Sequence, residues 1–184
     1  LAVFQWMYLR YKSFQRFAET WALLERVAGA GLLAPGGLLH GLVHPNQAAG
    51  ESWRLVSLGG GPGFEMVAVR AFCERFLPRA KPEMVSLDLA TEWAPCAEAL
   101  GFRFNEWDVN DGAGLLGAAG WGGKLDLAII SYVFYHYMSH ERCYDWLGAA
   151  LRSGDVGAVL IVSRFENLAP QLGALEARGV RALP

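Results

Sequence analysis

At 184 residues, with 53% hydrophobic and 18% charged side chains, the chain can bury one sizeable core and is too short for two complete domains. Its formal charge of −2 gives no global attraction to nucleic acid, and no run of about 18 uninterrupted apolar residues argues for a membrane span. Cys73, Cys96 and Cys143 are far apart, odd in number and without zinc spacing, so reduced thiols and an intracellular protein are expected. The chain opens on leucine rather than methionine, and its true N-terminus is expected upstream.

From about Val3 to Val27, Phe4, Tyr8, Tyr11, Phe14, Phe17, Trp21 and Leu24 recur at helical spacing, which predicts one amphipathic helix or a broken pair. Its aromatic stripe is expected in the core, with closure of Tyr8 or Tyr11 over a ligand as the alternative. Arg10, Lys12 and Arg16 read as a solvated face, or as a local basic patch. Residues 29–50 are rich in glycine, proline and alanine, with turn signals at Pro35-Gly-Gly and His44-Pro-Asn. Residues 1–50 are thus a helical segment and linker, and 51–184 one further unit.

That unit alternates strands and helices. Strand one is expected at about 54–58, a helix from Phe64 to Leu77, strand two at Met84–Asp88, a helix from Thr91 to Leu100, and strand three at about 102–107. An alanine- and glycine-rich crossover over Asp111–Gly123 leads to strand four at about 125–131. A helix follows from His140 to Leu151, then strand five at Val156–Val162, a helix from Asn167 to Arg178, and the start of a sixth strand at Val180–Leu183. The alternation predicts a doubly wound, mostly parallel α/β sheet with helices on both faces.

Between strand one and its helix lies Leu58-Gly-Gly-Gly-Pro-Gly-Phe-Glu65. Four glycines after a strand let the backbone take positive φ and approach a ligand, while the first N–H groups of the next helix point into the crevice. A dinucleotide fingerprint needs a third glycine three residues after its second, and Phe64 or Met66 stands there. The phosphate-cradling Gly-Lys-Ser/Thr pattern is missing as well. A turn followed by Glu65 suits a ligand carrying a cation better than one carrying a diphosphate.

The turn resembles the glycine-rich first motif of the class I S-adenosylmethionine-dependent methyltransferases in its Gly-Gly-Gly-Pro-Gly-x-acid form, and the resemblance spans roughly residues 50–165. It implies a Rossmann-like domain over 51–184 whose cofactor, S-adenosylmethionine, contacts Gly59, Gly60, Gly61, Gly63 and Glu65. Asp88, with Leu89 beside it, matches the acid that binds the ribose hydroxyls. Asp108, with Val109, falls where the family reads the adenine, and Ser131 ends the fourth strand. Two departures stand out: Ser57 sits where many members have an acid, and Ser131-Tyr-Val-Phe134 replaces the Asn/Asp-Pro-Pro-Tyr/Phe signature. The family's closing antiparallel hairpin is also absent from the C-terminal end. A protein partner covering that sheet edge is therefore expected.

By the same resemblance the reaction is an in-line methyl transfer to an acceptor that is a small molecule, a protein or an RNA. His136 is the candidate general base, and Tyr132 or Tyr135 the candidate for positioning the acceptor. The alternative is that these residues only pack the start of the next helix. His40 and His44 flank glycine and proline and have no carboxylate or cysteine beside them, so no metal is expected. Two functional classes stand: an active methyltransferase, or a catalytically inactive methyltransferase-like subunit acting as an interaction module.

Overall fold

The structure is a computed structural model that describes residues 3–35, 37, 39–40 and 52–183. Five parallel strands form its centre: β1 (Arg54–Leu58), β2 (Glu83–Asp88), β3 (Arg103–Glu106), β4 (Leu125–Ser131) and β5 (Val156–Val162). Their order is β3-β2-β1-β4-β5. The chain winds outward in one direction from β1 and in the other from β4, so a crevice opens between the carboxyl ends of those two strands.

Successive strand residues point to opposite faces, and here both faces are apolar. Leu55, Leu127, Ile129 and Leu160 pack under α1 (Val3–Gly29) and α2 (Phe64–Phe76). Val56, Leu58, Leu125, Ala128 and Ile130 pack on the opposite face with Leu147 of α5 (Glu141–Ser153). Between these lie α3 (Ala94–Ala99) and α4 (Leu115–Ala119), and α6 (Phe165–Glu176) closes the described chain.

Several boundaries differ from the sequence expectation. The helix expected from Thr91 opens as a 3₁₀ turn, Thr91–Trp93, because Pro95 lacks an amide hydrogen and belongs in a first turn. The crossover holds the short helix α4. Phe102 and Trp107 flank β3 rather than extend it, and both are buried.

No strand forms over 180–183. Gly179 takes a left-handed φ of 77°, and Val180 N–H donates back to the Leu175 carbonyl (3.2 Å), which commits the segment to capping α6. Arg178 pins the same end to α5 through Asp145 (2.7 Å) and Glu141. Among the described residues β5 pairs only with β4. The linker turn expected at His44-Pro-Asn lies outside the described residues.

The largest departure is in α1, one continuous 27-residue helix. Its second half is ordinary: Leu24 and Val27 are buried, and Trp21 meets Phe72 at 5.5 Å. Its first half is inverted. Phe4, Tyr11 and Phe14 are exposed, whereas Gln5, Arg16 and Thr20 are buried. Phe4, Tyr11 and Phe14 of the stripe expected in the core therefore face outward, while Tyr8 turns in over the carboxyl edge of the sheet, because the surface beneath this half is that polar edge rather than the flank of α2. No helix of the described residues is long and apolar enough to cross a membrane.

Candidate active site

The β1–α2 turn is built as its glycines predict. Gly59, Gly61 and Gly63 take φ of 63°, 50° and 84°. A β-carbon on Gly60 would stand 2.4 Å from Ser57 Oγ and 2.8 Å from Ser86 Oγ, so no side chain fits there without displacing both hydroxyls. At Gly61 the left-handed φ is the constraint: a β-carbon would reach only van der Waals distance, 3.6 Å, from the Trp93 ring. The turn is tied to β2 by the Ser86 hydroxyl, which donates to the Gly61 carbonyl (2.8 Å), and by Gly61 N–H, which donates to Asp88 Oδ2 (2.9 Å).

Ser57 and Glu65 explain each other. The Ser57 hydroxyl on β1 donates to Glu65 Oε1 in the first turn of α2, and both side chains are buried. Burial pushes the Glu65 carboxyl above its ordinary range, against the opposing pull of the Ser57 hydrogen bond. Asp88 is raised too, again chiefly by burial, although Ala90 N–H (2.8 Å) and Gly61 N–H favour its charged form.

The roof of the crevice is the inverted half of α1. The Tyr8 ring packs at 5.3 Å on Trp93, and its hydroxyl accepts from Arg16 Nε (3.2 Å). Burial raises the Tyr8 hydroxyl, the Arg16 cation opposes this, and the Glu65 and Asp88 carboxylates add to the rise. The Arg16 guanidinium lies 3.8 Å over the centre of the Tyr132 ring. The Tyr132 hydroxyl donates to Glu19 Oε1 (2.7 Å) and accepts from Gln15 Nε2 (3.3 Å). Tyr132 is the one described non-glycine residue with positive φ, 61°, a strained conformation of the kind that gathers at functional sites.

Four buried polar atoms in this region have no hydrogen-bond partner: Arg16 Nη1, Glu19 Oε2, Thr20 Oγ1 and Ser131 Oγ. The first two stand 3.9 Å apart, too far for a hydrogen bond and close enough for one polar atom to bridge them. Ser163 Oγ, just beyond the end of β5, is in the same condition. Hydroxyls at the ends of β4 and β5 thus keep unfilled hydrogen-bonding capacity.

The remaining expected residues lie further out. Leu89 is exposed. Asp108 accepts from the backbone and side-chain amides of Asn110 (2.9 and 2.8 Å), and these bonds hold its carboxyl below the usual range. The carbonyl of Val109 accepts from Trp146 Nε1 (3.2 Å). Trp107 N–H donates to the Asp88 carbonyl (3.2 Å), which brings the end of β3 beside the end of β2. His136 is exposed in the turn after β4, its ring centre 3.8 Å from that of Tyr135. Among the described residues no group of three or more His, Cys, Asp or Glu could hold a metal.

Sequence inspection missed Arg16, Glu19 and Thr20. Their signal was available: polar residues at three- and four-residue spacing on the helix face opposite the aromatic stripe.

No protein-family model matches the chain, and no curated protein matches it. Similar solved structures include the plantazolicin methyltransferase BpumL in complex with SAH, at 14% identity and a TM-score of 0.46, covering 95% of this chain and 55% of that one. Another is a SAM-bound amino pentose methyltransferase from Micromonospora echinaspora, at 17% and 0.37, covering 58% and 41%. A third is a pericyclic reaction enzyme, at 13% and 0.47, covering 78% and 37%. The chain thus spans between about a third and just over half of these proteins. Likeness of this degree carries nothing of their chemistry. What the sheet order defines is a doubly wound α/β protein whose glycine turn lies at the carboxyl edge of the sheet.

Proposed function

We propose that the crevice binds S-adenosylmethionine and that the chain is the cofactor-binding part of a methyltransferase. One observation carries this: the left-handed glycine turn meets two acids, buried Glu65 and half-buried Asp88, under an aromatic roof of Tyr8 and Trp93. The residues fit the cofactor. The Gly60 approach admits only backbone, Asp88 can take a ribose diol, Asp108 and Val109 would serve the adenine, and acids with aromatic rings favour a cationic ligand. When bound, S-adenosylmethionine supplies an electrophilic methyl group; everything else falls to the protein.

In this reading the glycine turn and Asp88 orient the cofactor, and α1 excludes water. Arg16, Thr20 and Ser131 offer donors to an acceptor molecule, and Glu19 Oε2 takes its proton. Tyr132 holds Glu19 in place. His136 would reach an acceptor only from the outer surface.

A second reading, a methyltransferase-like subunit without turnover, is favoured by a different observation. The acids already have partners within the chain, since Asp88 binds Gly61 N–H and the Arg16 cation faces Glu65. Calorimetric titration with S-adenosylmethionine, S-adenosylhomocysteine and NAD separates the possibilities. Micromolar binding of the first two alone supports the cofactor site, and no binding by a folded sample would reject it in favour of the second reading.

A further inference from the structure

The outward face of α1 is apolar, aromatic and cationic at once. Val3, Phe4, Met7, Tyr11 and Phe14 fall within an arc of about 100° on the helix, the width of a complete apolar face. Phe4 is 70% and Phe14 80% exposed. Trp6 flanks the arc, with the Arg10 guanidinium 5.3 Å from its ring and 5.5 Å from that of Tyr11, and Lys12 is exposed on the other flank. From residue 3 to residue 18 every charged side chain is basic, and the first acid is Glu19, turned inward to Tyr132. All 18 acids of the chain lie after residue 18, so this first half of the helix is locally basic.

We infer that this face docks on an anionic lipid surface, with Phe4, Met7 and Phe14 entering the acyl boundary and Arg10 and Lys12 meeting the headgroups. Bulky aromatics and aliphatics on one face, with arginine and lysine at its margins, are what an in-plane interfacial helix requires. Charge complementarity favours lipid over a second copy of the chain. A two-fold dimer on this face would oppose Arg10 and Lys12 to their own copies with no acid of the face to pair them. The inference does not rest on the methyltransferase reading, because the exposed side of the face alone carries it; of the face, Phe4 approaches the crevice roof, its ring 6.2 Å from that of Tyr8.

The test is flotation of the purified chain with vesicles of phosphatidylcholine alone and of phosphatidylcholine with about one third phosphatidylglycerol, at low and high salt. The expected result is flotation with the anionic vesicles only, weakened by salt. It should fall about tenfold or more in Phe4→Ser/Phe14→Ser and in Arg10→Glu/Lys12→Glu. These side chains are exposed, so the variants should keep their circular dichroism and melting temperature. Three results overturn the inference. They are no flotation with either vesicle, equal flotation with both that ignores salt, and a self-association lost in the Phe4/Phe14 variant without any lipid binding. Retention by an acidic protein in place of lipid would count with the first of these.

Discussion

The two halves of α1 share one periodicity and one backbone, yet they obey opposite rules. In the second half Leu24 and Val27 go inward, against the Phe72 face of α2. In the first half Arg16 (8% exposed) and Thr20 (0%) go inward, while Phe14 stands in solvent. What lies beneath each half decides the difference. The second half rests on an apolar helix flank, whereas the first crosses the carboxyl ends of β1, β2 and β4, where the glycine turn, Asp88 and Ser131 present polar groups. A polar face pressed on a polar crevice leaves orphaned atoms, which is costly unless something binds there.

The comparison is sharpened first by truncation. Leu24→Ala should cost about 2–5 kcal/mol in urea unfolding, and Phe14→Ala should stay within about 0.5 kcal/mol. Comparable losses at the two positions would mean that the halves do not differ. Next, Asp88→Ala should weaken S-adenosylhomocysteine binding by about 1.5–3 kcal/mol in calorimetry, through loss of charged hydrogen bonds. Unchanged affinity would remove Asp88 from the site. Tyr132→Phe should then cost about 0.5–1.5 kcal/mol of stability, since the cation–ring contact survives and only the bonds to Glu19 and Gln15 go.

The smallest effect has the opposite sign. The folded state raises the Glu65 carboxyl, so it binds that proton more tightly than the unfolded chain does. Stability from this group is present below its unfolded pKa and is lost as pH rises through the folded value. Glu65→Gln should therefore raise the Tm at neutral pH, lose that gain on acidification, and weaken binding of a cationic ligand. A gain that persisted in acid would point to a cause other than ionisation. The same substitution would set stability against function, as sites built on buried charge do.

Much of this was legible in the sequence. Apolar runs of five to seven residues between helical stretches foretold the parallel sheet. The four glycines foretold the turn, and Asp88 stood at the end of its strand as expected. Less was legible at the termini. Val180–Leu183 has strand composition but serves the cap of α6, and the first half of α1 has a core-like aromatic stripe but buries Arg16 and Thr20 instead. Local composition carries no information about which neighbour a segment meets.

The sequence by itself determined the elements, the winding of the sheet and the glycine turn, because these depend on residue periodicity and on backbone freedom at particular glycines. Only the tertiary structure decided that Ser57 holds Glu65, that Tyr132 takes a strained φ to reach Glu19, and that α1 turns its polar face inward. Those outcomes depend on contacts between segments tens of residues apart, where the lower free energy comes from matching polar surface to polar surface even at the expense of leaving aromatic rings in water.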